Sequence, residues 1–211
     1  MPDLSKLYDS ILTGDDKTSV SITEEALVVN TDPLELVTGY MVPAMDEVGK
    51  RFEEEEYFIP ELLLSARAMQ KSLALIRPKL VETGAEPAGR VAIGTVKGDL
   101  HDIGKNLVCS MLEGGGFEVY DLGVDVASDK FVAAIKENNI NLICLSTLLT
   151  TTMPAMKTII EDLKVAGVRD QVKVLIGGAP ITQDFAEEIG ADFYGDNART
   201  AVTLARQLSV N

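Results

Sequence analysis

His101 is the only histidine among 211 residues, and it lies in the stretch GTVKGDLHDIGKNL, residues 94–107. Asp99 precedes it by two positions, Asp102 follows it directly, and Gly98 and Gly104 flank the group. In a loop, residues two apart can face the same way. A carboxylate at 99 can then take a hydrogen bond from one ring nitrogen of the imidazole and leave the other with a free lone pair, as a metal ligand requires. With one imidazole available, any such metal must arrive with its equatorial positions already filled, as in a tetrapyrrole. A histidine that is simply solvated or hydrogen-bonded in a surface loop satisfies the same sequence, and at this level both readings stand.

Other chemistries for a glycine-bearing loop fit less well. Phosphate binding at a helix N-terminus normally brings GxGxxG or GxxxxGK[ST], neither of which occurs, and Asp99 and Asp102 would repel the anion. A phosphoacceptor aspartate needs acidic residues at the end of the preceding strand to hold a divalent cation, and IGTV, residues 93–96, has none.

The elements that must position this loop are legible as two regions with different periods. Up to about residue 81 the apolar spacing is helical: Leu34, Val37, Met41, Met45, Val48 and Phe52 form one stripe, and Leu62, Ala66, Met69, Leu73, Ile76 and Leu80 another. Asp32, Pro33 and Glu35 make a helix start, and Pro60 opens the next helix in the same way. Segments near 3–13 and 17–30 bring the count to four, predicting a four-helix bundle. Pro43 predicts a kink or a break. ETGAEPAG, residues 82–89, reads as a linker.

Beyond it RVAIGTV, FEVYDLG, NLICLST, VKVLIGG and ADFYG alternate with amphipathic segments, predicting a five-stranded parallel sheet of α/β type, Rossmann or flavodoxin-like, covered on both faces. The expected domains are 1–85, helical, and 90–211, α/β. Ligands of such sheets bind beyond the carboxyl ends of the strands, which is where the His101 loop falls.

Composition narrows the partners. A net charge of −14 with 46% hydrophobic residues argues against nucleic acid and anionic membranes. No 18-residue apolar run and no signal-like N-terminus is present, so a cytoplasmic protein is expected. Cys109 and Cys144 lie apart within apolar runs, which predicts buried thiols and no zinc site.

Asp99-Leu100-His101-Asp102-Ile103-Gly104 resembles the DxHxxG signature of cobalamin-binding domains that hold the corrinoid with its own base displaced and a protein histidine on cobalt. Ser146-Thr147-Leu148 is similar to the SxL element after the third strand, and Gly177-Gly178 to the GG element after the fourth. A preceding four-helix bundle is shared with the cobalamin module of methionine synthase and with small corrinoid proteins of methyltransferase systems.

The resemblance implies a role for each matching residue. His101 would be the lower axial cobalt ligand, base-off and His-on, Asp99 its hydrogen-bond partner, and Thr152, six residues beyond Ser146, the hydroxyl completing the relay. Asp102, Ile103, Gly104, Ser146, Leu148, Thr150, Gly177 and Gly178 would contact the corrinoid or its nucleotide tail, Gly104 by keeping the first helix thin. Phe52 and Ile59, within residues 48–69, would cap the upper corrin face; ordinary bundle core is the other reading of both and explains Ile59 equally well.

The implied function is a carrier, not a complete enzyme. It would take a methyl group on cobalt from a substrate-specific methyltransferase and pass it to a second one, of tetrahydrofolate or coenzyme M type, with a reductive activase as a further partner. A cobalamin-responsive regulator and the cobalamin subunit of a mutase are the alternatives that share the signature, and a flavodoxin-like domain without corrinoid is the remaining class. Glu53–Glu56 reads as a solvated helix end, with a docking patch for a basic partner as the other reading.

Overall fold

The structure, a computed structural model, describes residues 3–83 and 87–207. The chain divides into two compact units, Met1–Pro87 with Glu113–Gly116, and Ala88–Leu112 with Phe117–Asn211. Of the linker expected over 82–89, residues 84–86 lie outside the described residues, and the preceding helix runs to Thr83.

The first unit is helical: α1 (Ser5–Leu12), α2 (Asp16–Val28), α3 (Pro33–Glu35), α4 (Val42–Glu53) and α5 (Ile59–Thr83). Asp32 caps α3 as its sequence suggests, its carboxylate accepting from the Leu34 N–H at 3.0 Å. The break anticipated at Pro43 does not occur. Residues 33–53 run on as one helical rod, α3 passing into α4 through a π-helical turn, Leu36–Met41, in which the Val42 N–H reaches back five residues to the Val37 carbonyl. Proline crowds the carbonyl four residues before it, here that of Gly39, and the wider turn just upstream accommodates the ring.

Counting that rod once, four helices make the bundle. Its core holds Leu7, Ile11, Leu36, Met41, Leu62, Met69 and Ile76, and small buried residues, Ser19 of α2 and Ser65, Ala68 and Ser72 of α5, accompany them. The Ser65 hydroxyl donates to the Leu12 carbonyl at 3.0 Å, tying α5 to the end of α1.

The second unit is a five-stranded parallel sheet, β1 (Arg90–Thr95), β2 (Glu118–Asp121), β3 (Leu142–Ser146), β4 (Lys173–Gly177) and β5 (Phe193–Gly195), in the order β2-β1-β3-β4-β5. Helices α6 (Ile103–Gly114), α7 (Ser128–Asn138), α8 (Met153–Val165), α9 (Gln183–Ile189) and α10 (Ala198–Arg206) connect and follow the strands. Ile143, Leu145, Val174 and Ile176 of the central strands join Phe131, Ile135, Met156, Ile159 and Leu163 of α7 and α8 in one buried cluster. The central strands β1, β3 and β4 are buried along most of their length and need no polar alternation, which is why they read as apolar runs, whereas the outer strand β2, Glu118–Asp121, is only half-buried and carries polar residues at both ends. Cys109 and Cys144 are buried free thiols, and burial pushes the Cys144 thiol far up. Among the described residues no helix is long and apolar enough to cross a membrane.

This strand order reverses direction between β1 and β3, and the crevice between their carboxyl ends is where the fold places ligands. Register carries the argument further. Thr95 of β1 pairs with Ser146 of β3, and Ser146 with Gly177 of β4, so one row across the sheet ends all three strands. The three loops singled out from sequence leave the sheet side by side from that row.

Candidate functional site

Asp99 lies in the β1–α6 loop and is fully buried. Asp125 braces the loop with two reciprocal bonds: the Gly98 N–H donates to the Asp125 carboxylate at 2.7 Å, and the Asp125 N–H donates to the Asp99 carbonyl at 3.0 Å. Gly98 adopts φ +88°, a conformation that glycine takes without penalty. The Thr95 hydroxyl donates to the His101 carbonyl at 2.8 Å, so the end of β1 also anchors the backbone of His101.

Around Asp99 the hydrogen bonds divide between the two oxygens. Oδ1 accepts the His101 backbone N–H at 3.0 Å and contacts the His101 Nδ1 at 2.7 Å. Oδ2 accepts the Leu148 N–H at 2.7 Å, the Thr147 hydroxyl at 2.7 Å and, more weakly, the Thr152 hydroxyl at 3.3 Å. Burial alone would raise the Asp99 pKa. The donated bonds from His101 and Leu148 backbone, Thr147 hydroxyl and His101 ring outweigh it and hold the carboxyl well below the usual carboxylate range.

An ionised Asp99 can only accept, so Nδ1 of His101 carries a proton, and in the neutral imidazole it is Nε2 that has the lone pair. The His101 side chain is 51% exposed although its partner is 0% exposed. A buried anion thus holds a half-exposed imidazole through one ring nitrogen.

The surroundings of His101 are apolar where a surface loop would ordinarily be polar. Leu100 is 72% and Ile103 74% exposed, and Leu148 and Leu149 on the β3–α8 loop are also exposed. Gly104, in the first turn of α6, has nothing within 4 Å of the position a Cβ would take. No protein atom therefore requires a glycine there, and the space beside it is open. Asp102 is exposed and accepts from the Asn106 side chain at 3.2 Å.

Gly177 and Gly178 have a tighter setting. A Cβ on Gly178 would fall 1.8 Å from the Thr147 carbonyl oxygen, and its φ is +132°. A Cβ on Gly177 would stand 2.9 Å from the Gly195 carbonyl oxygen.

The structure therefore brings Asp99, His101, Thr152, Leu148, Gly177 and Gly178 to one end of the sheet, with Ser146 at the edge and Thr150 exposed in the β3–α8 loop. Phe52, half-buried in α4, and Ile59, 45% exposed at the start of α5, belong to the helical unit. The core explanation for Ile59 does not hold, since Phe58, Leu63 and Leu64 beside it are exposed as well.

One residue escaped sequence reasoning. Thr147 is 1% exposed and contacts both Asp99 and Thr152. It occupies the variable place of Ser146-Thr147-Leu148, where a motif asks for nothing. The available signal was a hydroxyl next to a strand end, with a run of three more, Thr150, Thr151 and Thr152, close behind.

Comparisons with known proteins give the family and the fold. A B12 binding domain family model matches residues 89–203, and a second model of the same description matches residues 4–77. Trimethylamine corrinoid protein 1 of Methanosarcina acetivorans is 43% identical over 205 residues, covering 96% of this chain and 95% of that protein. Among solved structures, a cobalamin-binding protein from Desulfitobacterium hafniense superposes with a TM-score of 0.78 at 31% identity, covering 99% of both chains. The methanol:cobalamin methyltransferase complex of Methanosarcina barkeri gives a TM-score of 0.86 at 28% identity, over 97% of this chain and 78% of that one.

Proposed function

Because this chain belongs to the B12-binding corrinoid proteins of methyltransferase systems, we propose that it holds its corrinoid base-off with His101 on cobalt, and that it carries methyl groups from a substrate-specific methyltransferase to an acceptor methyltransferase. The observation that carries the reading is the pair beyond the carboxyl end of β1: a buried, ionised Asp99 at 2.7 Å from Nδ1 of a half-exposed His101. That bond fixes the tautomer and strengthens Nε2 as a donor to a metal.

The residues present fit a corrinoid. Exposed Leu100, Ile103 and Leu148 border the imidazole and offer apolar contact to a flat macrocycle. The open space beside Gly104 leaves room for a nucleotide tail, and the close approach at Gly178 narrows the opposite wall. When bound, the corrinoid supplies a cobalt centre that in its reduced form can accept a methyl group and later release it.

The chain's own contribution is positioning and access. Asp99 can follow changes in the demand on His101, because a strong bond to Nδ1 stabilises the ligating imidazole more than a free one. Asp102, Ile103, Gly104, Ser146, Leu148, Thr150, Gly177 and Gly178 are assigned to cofactor contact, and Thr152 to the relay behind Asp99. Residues 1–85 are assigned as the cap, with Phe52 and Ile59 facing the cofactor, and residues 90–211 as the binding domain. The exposed row Phe58, Ile59, Leu63 and Leu64 supports this assignment, since an apolar surface of that kind marks an interaction site. Methyl transfer in both directions requires that such a cap admit each partner in turn.

The trimethylamine relative makes a methylated amine the first donor to test, and either tetrahydrofolate or coenzyme M remains open as the final acceptor of the second methyltransferase. A reductive activase and a cytoplasmic location belong to the same proposal. The test is transfer of label. With reduced, corrinoid-loaded protein, 13C-methyl from trimethylamine should become protein-bound only when the cognate methyltransferase is present, and should leave when an acceptor methyltransferase is added. Label retention that ignores the first methyltransferase, or no retention with any methylated donor and its enzyme, would refute the carrier role.

A further inference from the structure

Three hydroxyl-bearing or amide groups compete for Asp99 Oδ2, and counting their protons separates them. A threonine hydroxyl has one proton to give. The Thr152 hydroxyl lies 2.9 Å from the Leu149 carbonyl and in contact with the Thr147 hydroxyl, both closer than Asp99 at 3.3 Å. Thr147 reverses this ranking: its hydroxyl is 2.7 Å from Asp99 and 3.5 Å from the Leu149 carbonyl. The proton that reaches the carboxylate is therefore that of Thr147, and Thr152 stands one step further back.

Thr147 is also the more firmly held. Its N–H donates to the Gly177 carbonyl at 3.3 Å, extending the pairing of β3 with β4 by one residue. Its carbonyl oxygen lies where a Cβ on Gly178 would be 1.8 Å away, a closeness that only glycine permits. The β-branched side chain, 1% exposed, has little rotamer freedom left.

We propose that Thr147 is the positioning residue of the His101–Asp99 pair, donating directly to the carboxylate oxygen away from the ring, and that Gly178 holds it there. With Oδ2 pinned by Thr147 and the Leu148 N–H, the carboxylate plane cannot turn, and Oδ1 stays aimed at Nδ1. Thr152 supports Thr147 and does not replace it. The GG turn and the histidine thus share one residue, which couples the wall of the proposed tail slot to the ligand. This inference rests on the corrinoid reading for its consequence at cobalt, but its geometric content does not.

The experiment uses the full chain as wild type, Thr147→Val, Thr147→Ala, Thr147→Ser and Thr152→Val, with two readouts. Without corrinoid, 15N shifts of the His101 ring report the Nδ1–H tautomer. With cobalamin loaded and reduced to Co(II), the nitrogen hyperfine splitting in the EPR spectrum reports the fraction of cobalt ligated by histidine at fixed pH.

Loss of a hydrogen bond to a charged group should lower the ratio of ligated to unligated cobalt about 10-fold in Thr147→Val, with Thr147→Ser within about two-fold of wild type and Thr152→Val changing it by no more than about two-fold. The ring tautomer should lose definition in the same variants and in no others. Wild-type behaviour of Thr147→Val, or a larger loss in Thr152→Val, overturns the proposal. So does a Thr147→Ser variant as impaired as Thr147→Val, which also decides the matter should the apolar variants not fold. If wild type shows no nitrogen splitting, the ligand reading fails by itself, and the tautomer measurement still judges Thr147.

Discussion

A single carboxylate with five donors within reach organises this site, and its behaviour in acid follows from them. Asp99 is held ionised by the His101 and Leu148 backbone, the Thr147 hydroxyl and the His101 ring, against a burial effect of opposite sign. A group whose folded pKa is depressed contributes stability that is fully present above its unfolded pKa and lost as the pH falls through the folded value. Asp99→Asn should therefore be destabilised relative to wild type at neutral pH by about 1–3 kcal/mol, because an amide nitrogen then faces donors. That gap should narrow as the pH falls below about 4, the ordinary carboxylate pKa, in urea titrations of the corrinoid-free protein. A gap independent of pH would contradict the assignment.

Gly178→Ala tests the opposite wall: with a Cβ 1.8 Å from the Thr147 oxygen and φ at +132°, it should cost more than about 3 kcal/mol in the same titration. What the sequence left hidden at this scale was the order of the donors. Asp99 and His101 were legible because their spacing is local, whereas Thr147 and Thr152 reach Asp99 across β1 and β3, a contact that no spacing rule encodes.

At the scale of elements, the central strands β1, β3 and β4 were readable because strands buried on both faces keep mostly apolar residues. Their neighbours were not, since the row Thr95, Ser146 and Gly177 exists only once the order β2-β1-β3-β4-β5 is set. Pro43 shows a second limit. A local rule predicted an interruption, and the π-helical turn Leu36–Met41 absorbed it, keeping Met41 and Met45 in the core.

Helix α6 offers a prediction that separates structural from functional reasons for a residue. Gly104 has no protein neighbour within 4 Å of a Cβ, so Gly104→Ala should leave the corrinoid-free protein as stable or up to about 1 kcal/mol more stable, alanine being the better helix former. The same variant should retain cobalamin more weakly than wild type in equilibrium dialysis. Unchanged affinity would remove Gly104 from the cofactor site.

For the whole molecule, function depends on a ligand that the folded state alone can hold. Binding restricted to the native state adds RT ln(1 + [L]/Kd), about 2.7 kcal/mol at 100 Kd. Cobalamin should thus raise the thermal midpoint of wild type in a concentration-dependent manner, and raise that of His101→Ala by less. Equal increments would place the cofactor's hold elsewhere. The net charge of −14 argues against nucleic acid as an organising partner, but nothing in 211 residues specifies the methyl donor, because in a carrier system the partner enzyme binds it.

The most direct test of the central claim is the absorption spectrum of the purified chain loaded with hydroxocobalamin, measured beside His101→Ala. The account predicts stoichiometric retention by wild type and a distinct spectrum in the variant, where water or no ligand replaces the imidazole. Identical spectra would show that His101 does not bind cobalt, and failure of wild type to retain any cobalamin would contradict the assignment of the site as a whole.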